Sequence, residues 1–533
     1  MYLVIRRFIF DKLQVLSEEI KKSFDFSELK DSGLGKELLA SLVTYLVALP
    51  LCLGIAIASG VPPVYGLITG ILGGVISGLF TGCSLQITGP AGGLIVIVIE
   101  IVHQFGIEKL GIMVLFAGVL QIFIGLTGLA PWFQIVSPAI IRGMLSGIGV
   151  VIFASQFHVM MNHAPLAGTL DNLLAIPSLI FKTILPKDEN TYHLAAGIGL
   201  ITLLMIIFWN TLPFKEIKKI PSTLVAVIFA SSVAVLLQLP IDYVNIPENF
   251  IGEMKFLDIH LIPEVITNFD SLFAIAALTF IASIEAILTT KAIEKIDTRI
   301  RTQHNREIIA QGLGNGFAGI LNSLPLTGVI VRSVVAHKAG GRTKWIAVFQ
   351  GLWILITLVF LRRIIGLIPL ASLAAILVLV SFSLIDFRDF RRLYRVNKVE
   401  FVISIVTLIL VITTNIFTGV LVGIIIASVK SLKDLSKFKS KYDYLGDGNI
   451  ELKLEGSLNF INSYKLNNLL SSIPEGNRVV FNANKLHYID HSCFEIISNW
   501  EDDYSSKGGI VILELDHIAQ RFDIKRPEQE PSP

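Results

Sequence analysis

ITGPAGGLIVIVIEIVH (residues 87–103) and NSLPLTGVIVRSVVAHK (residues 322–338) are two apolar stretches interrupted near their starts by Pro and Gly. Each is only about half of the roughly 20 residues that a helix needs to cross a ~30 Å hydrocarbon layer. Interrupted, half-length segments in matching places of a hydrophobic chain predict two broken helices whose ends meet inside a membrane. A second spacing supports the match. Pro50, in VALPLCLGIAIASG, and Glu285, in FIASIEAILTTK, lie 235 positions apart, as do Pro90 and Pro325. This pattern predicts two repeats of seven helices in opposite orientation, repeat one over about 37–240 and repeat two over about 270–436.

The rest of the chain fits that frame. Of 533 residues, 53% are hydrophobic and 16% charged, and the mean hydropathy is +0.70, far from the roughly quarter-charged balance of a soluble domain. Apolar runs recur from Leu38 to about Leu432 and predict fourteen transmembrane segments, an all-α membrane domain over 37–440. The more polar stretch 169–184, with Pro177, reads as a helix lying in the membrane surface. A net charge of +2 gives no footprint for nucleic acid. Lys and Arg concentrate in the loops 211–221, 291–306, 337–344 and 386–398, whereas the loop 240–270 is rich in Asp and Glu. This places both termini in the cytoplasm, residues 1–36 forming a cytoplasmic lead-in, with the chain integral to a bacterial inner membrane. Cys52, Cys83 and Cys493 are too scattered for a disulfide framework or zinc site and read as free thiols.

A half-helix that starts inside a membrane presents unpaired backbone N–H groups and about half a positive charge, so two facing starts offer an anion about one unit of charge. That suits a monoanion. A dianion needs a co-transported cation or help from Arg332, which by residue count from Pro325 lies about 10 Å along the second half-helix; the alternative for Arg332 is to snorkel to the cytoplasmic edge beside Lys338 and Arg342. Glu285 stands in mid-span, where a carboxylate is costly and serves an ion or proton path. Thr289 is one turn further on the same face, and a Na⁺ held by this pair would also meet Thr88 and Gly328. Glu100 and His103 are expected at the outer interface. No cofactor, structural metal cluster, nucleotide loop or nucleophile with a base partner is recognisable, so no enzymatic activity is expected.

VALPLCLGIAIASG, ITGPAG, EAILTT, REIIAQGLGNGFAGILNSLPLTGVIVRSVVAHKAGGRTK and IPLASLAAILVLVSFSLID together resemble the SulP (sulfate permease) anion transporters, relatives of the mammalian solute carrier 26 group, from about Lys36 to the C-terminal domain. The resemblance implies a 7 + 7 inverted repeat in which a core domain moves against a gate domain, usually in a homodimer. It also implies an anion site made by Pro50, Leu51, Cys52, Leu53, Thr88, Gly89, Pro90, Ala91, Gly92, Gly93, Leu326, Thr327, Gly328 and Val329, with Glu285 and Thr289 at the place where bicarbonate-carrying members bind Na⁺. The expected activity is elevator-like symport of a sulfate- or bicarbonate-class anion with Na⁺ or H⁺. An uncoupled exchanger or chloride channel, and a membrane sensor, are the alternatives.

After Lys441 the composition turns polar and mixed. IELKLEGSL, RVVFNANKL and GIVILEL read as strands, with helices at YKLNNLLSSI and SCFEIISNWEDDYSSK. This small α/β unit, 441–525, resembles the STAS domain of SulP transporters, with Ser492 at the serine that soluble relatives phosphorylate. On its residues alone, Ser492 reads instead as a helix N-cap. The tail 526–533 is expected to be disordered.

Overall fold

The computed structural model describes Leu29 and residues 32–512, apart from residues 30–31, 135–136, 167, 185–191, 214–219, 248–254, 386 and 447. The lead-in before Leu29 and the tail 526–533 therefore lie outside the described residues. The chain divides into two compact units, residues 1–424 and 425–533.

Every one of the fourteen predicted segments of the first unit contains helix. In chain order they are α1 (Leu34–Ala58), α2 (Pro63–Phe80), α3 (Gly92–Phe105), α4 (Ile107–Thr127), α5 (Pro138–Met160), then, after α6 (Thr169–Ile184), α7 (Tyr192–Thr211) and α8 (Ser222–Leu236). They continue with α9 (Phe269–Ile296), α10 (His304–Ile320), α11 (Ile330–Lys338), α12 (Trp345–Phe360) and α13 (Leu370–Leu384), and, after α14 (Phe387–Val396), α15 (Lys398–Thr413) and α16 (Ile416–Leu435). Among the described residues, seven helices are long and apolar enough to cross a membrane. The segment 169–184 is helical, as expected, and α14 is a further helix that hydropathy does not reveal.

Lipid is as apolar as Leu, so close helix packing in a membrane relies on small residues that let backbones approach. The α4–α10 pair shows this. Gly111, Gly118 and Gly125 recur every seventh residue along α4, and a Cβ on Gly118 would come within 2.6 Å of the Gly312 carbonyl oxygen, one on Gly319 within 2.6 Å of that of Gly111. Side-chain amides complete the contact, since the Gly111 N–H donates to Asn322 Oδ1 at 2.8 Å and Asn315 Nδ2 donates to Gln121 Oε1 at 2.8 Å.

Between α2 and α3 the chain forms β1 (Thr88–Gly89), and before α11 it forms β2 (Thr327–Gly328). They pair antiparallel, Thr88 opposite Gly328 and Gly89 opposite Thr327. The two Thr-Gly dipeptides are thus the matching elements, 239 positions apart, and not the two prolines. Pro90 follows its strand whereas Pro325 precedes its own, so the 235-residue offset belongs to the prolines and not to the backbone register. As a consequence α11 begins five residues beyond Pro325, later than the sequence suggested.

The second unit contains a four-stranded sheet in the order β3 (Phe438–Gly446), β4 (Asn449–Leu458), β5 (Arg478–Ile489), β6 (Ile510–Ile512). β3 and β4 are antiparallel; β4, β5 and β6 run parallel. The helices α17 (Ser463–Ser471) and α18 (His491–Ser506) bury Leu466, Leu470, Phe494 and Ile497 with Ile450, Leu452, Leu454 and Val479 of the sheet, a core of its own. Here β3 is an addition to the expected elements, and the boundary falls inside α16, earlier than residue 441. Ser492 is not the cap of α18. Asp490 is, its Oδ1 accepting from the Cys493 N–H at 2.8 Å and its Oδ2 from the Phe460 N–H at 2.5 Å, while Ser492 is exposed in the first turn.

All three cysteines are free and buried. Burial, reinforced by the Asp490 carboxylate, pushes the Cys493 thiol up to about 12. Because only the thiolate reacts, Cys493 should resist iodoacetamide at pH 8 in the native chain and react at least tenfold faster in urea, from which thiol-alkylation mass spectrometry would read the opening of this unit.

Because this unit has its own core, a chain stopped after Ser436 should remain membrane-inserted and retain anion binding. Loss of binding in a correctly inserted truncation, measured by scintillation proximity, would assign part of the site to the second unit.

Candidate functional site

β1 and β2 bring the starts of α3 and α11 face to face. The pairing extends one residue on each side, for the Val329 N–H donates to the Ile87 carbonyl at 2.9 Å and the Ile87 N–H donates to Ser333 Oγ, also at 2.9 Å. Two extended segments that cross an apolar interior need this arrangement, since no water there satisfies their backbone groups. Side chains pin the rest. Asn315 accepts from the Leu326 N–H at 2.8 Å and donates to its carbonyl at 3.0 Å. Thr327 Oγ1 donates to the Ala282 carbonyl at 2.8 Å and Thr289 Oγ1 to the Gly328 carbonyl at 2.9 Å, tying β2 to α9.

Arg332 sits in the first turn of α11 and is fully buried. Its Nη2 donates to the Pro90 carbonyl at 3.3 Å, across the strand pair, and its guanidinium lies beside the Cys52 thiol. Arg332 does not snorkel to a membrane edge. The distance counted from Pro325 misled because α11 starts only at Ile330. Its Nε and Nη1 have no hydrogen-bond acceptor among the described residues, and a buried cation without a counter-charge costs several kcal/mol. Such a group is poised to hold an anion. Gly89 makes room for it, because a Cβ there would strike Arg332 Nη1.

Glu285 lies on the other flank of the same turn. It is 8% exposed, no group among the described residues hydrogen-bonds to its carboxylate, and a Cβ on Gly93 would fall onto its Oε1. Gly93 is therefore the glycine that α3 requires. At Gly92 a Cβ would meet only Ile152 at 3.7 Å, so Gly92 is not the tight position that its place after Pro90 suggests. Three of the four groups expected around a cation, Thr88, Thr289 and Gly328, lie together at the β1–β2 crossing; Glu285 stands against Gly93, within the same α9 helix as Thr289. Among the described residues, no three His, Cys, Asp or Glu side chains cluster as a metal site.

Of the remaining expected residues, Pro50, Leu51 and Leu53 are buried in α1, with Cys52 as the member that reaches Arg332. Ala91 is the extended residue before α3 and Val329 the one before α11. Leu326 faces Gly314 of α10, where its methyl groups pack. Glu100 and His103 line a cavity of about 800 Å³ together with His163, Asp171 and Asp242; burial holds His163 below its ordinary pKa, with His158 and Lys182 acting in the same direction.

Glu307, on α10, was not marked out in the sequence. It is fully buried and accepts four hydrogen bonds. Its Oε2 takes Thr81 Oγ1 at 2.6 Å and the Gly82 N–H at 2.8 Å; its Oε1 takes Gln86 Nε2 at 2.8 Å and Gln311 Nε2 at 2.6 Å. Gln311 Nε2 donates onward to Thr88 Oγ1 at 2.9 Å. One carboxylate thus locks the segment leading into β1, from the first half of the chain, to a helix of the second half. The spacing of Glu307 and Gln311, one turn apart in an apolar, Gly-rich helix, is the signal that could have revealed it.

The family model described as "Sulfate permease family" matches residues 34–407. The chain belongs to the sulfate permease family. Among similar proteins is YvdB of Bacillus subtilis (strain 168), 27% identical over 87% of this chain and 88% of its own. A solved structure titled "The transmembrane domain of a cyanobacterium bicarbonate transporter BicA" is similar with a TM-score of 0.64 at 24% identity, over 75% of this chain and 98% of that one. "The overall structure of SLC26A9" is similar with a TM-score of 0.74 at 15% identity, over 92% of this chain and 88% of that one. The SulP resemblance and the mostly helical membrane transporter fold therefore hold, and the chain is a transporter of this family and not an enzyme.

Two substitutions test the geometry. Gly93→Ala should displace the Glu285 carboxylate and reduce gradient-driven anion accumulation about tenfold, ~1.4 kcal/mol, in proteoliposomes. Glu307→Gln puts an amide NH₂ against two donors that the carboxylate accepted, so loss of charge-assisted bonds worth about 1.5–3 kcal/mol each should lower uptake at least tenfold and lower the temperature at which the detergent-solubilised chain aggregates. An unchanged melting profile would show that the carboxylate does not tie the two halves together.

Proposed function

We propose that this chain is a secondary carrier of a small inorganic anion of the sulfate or bicarbonate class, coupled to Na⁺ or H⁺. The observation that carries the reading is Arg332, a buried guanidinium with two unpartnered nitrogens in the first turn of a half-helix, facing the start of a second half-helix across the β1–β2 crossing. The family's description and the naming of BicA as a bicarbonate transporter agree with the substrate class.

Charge decides what fits. The two helix starts supply about one positive charge and Arg332 a second. With the Glu285 carboxylate neutralised by a proton or Na⁺, the surroundings match a dianion; with it ionised, about one charge remains and a monoanion is matched. Coupling and substrate charge are thereby linked through one carboxylate. Glu285 with Thr289 is the coupling site in this reading, and α3 and α11 move together as one body in alternating access, because their strands are paired. The fourteen helical segments span the bilayer, both termini are cytoplasmic in a bacterial inner membrane, the carrier works as a homodimer, and the STAS-like unit has a regulatory role.

Uptake of labelled sulfate, bicarbonate, chloride and fumarate into proteoliposomes, under imposed Na⁺ and pH gradients, tests the reading. Glu285→Gln should abolish gradient-driven accumulation while sparing folding; retained Na⁺- or pH-driven accumulation would make the carrier an uncoupled exchanger. Arg332→Gln should cost a dianion at least tenfold more affinity than a monoanion, about 1.4 kcal/mol. Equal losses for the two charges, measured in the same vesicles, would contradict the division of charge.

A further inference from the structure

The ten residues of α14, FRDFRRLYRV (Phe387–Val396), have no part in the anion site. At 100° per residue, Arg388, Arg391, Arg392 and Arg395 fall at i, i+3, i+4 and i+7 and form one face about 100° wide. Phe387, Phe390 and Tyr394, at i, i+3 and i+7, form another, with Leu393 beside them. The aromatic face is anchored toward α15. Tyr394 meets the Phe401 ring edge-on at 5.2 Å between centroids, Phe390 meets the same ring at 6.5 Å, and Lys398 Nζ stands 5.9 Å above the Tyr394 ring.

The basic face has no such anchor. Arg391, Arg392 and Arg395 are exposed and form no ion pair among the described residues. The position of α14 in the chain fixes its depth. It is joined by two residues to the apolar helix α13 and by one residue to the apolar helix α15, so it cannot leave the surface in which those helices end. A short helix that is aromatic on one side and cationic on the other, held at that level, lies in the interface plane, where the guanidinium fork matches the geometry of a phosphate.

We propose that the arginine face of α14 is a binding surface for the headgroup phosphates of acidic phospholipids in the leaflet where α13 ends and α15 begins. The acidic leaflet is the occupant that fits, because the exposed charge is of one sign, it sits at headgroup level, and the aromatic side chains that would seat a protein partner are engaged with Phe401. Lipid bound here would hold the joint between α13 and α15, two helices that both pack against α5.

The test uses the full chain in detergent, equilibrated with equal amounts of phosphatidylglycerol and phosphatidylcholine and examined by native mass spectrometry. Wild type should retain phosphatidylglycerol about fivefold over phosphatidylcholine, R391Q/R392Q/R395Q should lose the preference, and R391K/R392K/R395K should keep most of it. The wild-type preference should also fall as ionic strength rises, which tests the proposal even should the glutamine variant fail to fold. Equal preference in the glutamine variant and wild type, or a wild-type preference insensitive to salt, overturns the proposal and leaves the arginine row to a protein partner.

Discussion

The backbone pairing of Ile87–Gly89 with Thr327–Val329 is the constraint on which the rest of the transporter unit depends. An extended segment inside an apolar medium leaves N–H and C=O groups that nothing else there can satisfy, and each of these two segments supplies the other's partners. Once they pair, the starts of α3 and α11 point toward a common space, the first-turn side chain of α11 reaches the Pro90 carbonyl, and Gly89 and Gly93 must lack side chains so that Arg332 and Glu285 fit. The surrounding polar side chains serve the crossing. Asn315, Thr289, Ser333 and the group around Glu307 hold one or the other strand in register.

Burial of charge on this scale is unfavourable unless it does something. Glu307 is satisfied from four directions and belongs to the architecture. Arg332 is satisfied at one nitrogen, and Glu285 has no hydrogen-bond partner among the described residues. The contrast separates a structural ion from ions that exchange partners, and it does so without reference to the anion. It also explains why the two groups stand on opposite flanks of one turn. Adjacent, they would neutralise each other; apart, each keeps its own charge for a different ion.

Much of this was legible in the sequence. Long apolar runs locate helices because burial and hydrogen bonding act on every residue of the run, and all fourteen segments contain helix within a few residues of the expected limits. The half-helices were legible because Pro and Gly mark where a helix cannot continue. Register was not. The prolines announce an interruption but do not set which residues pair, and the short Thr-Gly strands that do so carry no hydrophobic pattern. The error over Arg332 follows directly, since its position was measured from Pro325 instead of Ile330. Glu307 was overlooked because a carboxylate in the first turn of a helix is ordinary, and only its long-range partners make it unusual. In the second unit β3 was hidden because the charges of FKSKYDYLG obscure the alternation of Phe438, Ser440, Tyr442 and Tyr444, and Asp490 was passed over because Ser492 lies in the same short turn.

The antiparallel crossing has an implication for ancestry. Each half of the chain contributes one Thr-Gly strand, so neither half alone contains a binding site; it contains an edge awaiting a partner. A half-length ancestor could have completed that edge only by meeting a second copy of itself upside down in the same membrane, which requires a protein able to insert both ways. Fusion of the two copies then released each strand from having to match its twin. The displaced prolines and the single arginine, present in one half and absent from the corresponding turn of the other, are what that release allowed.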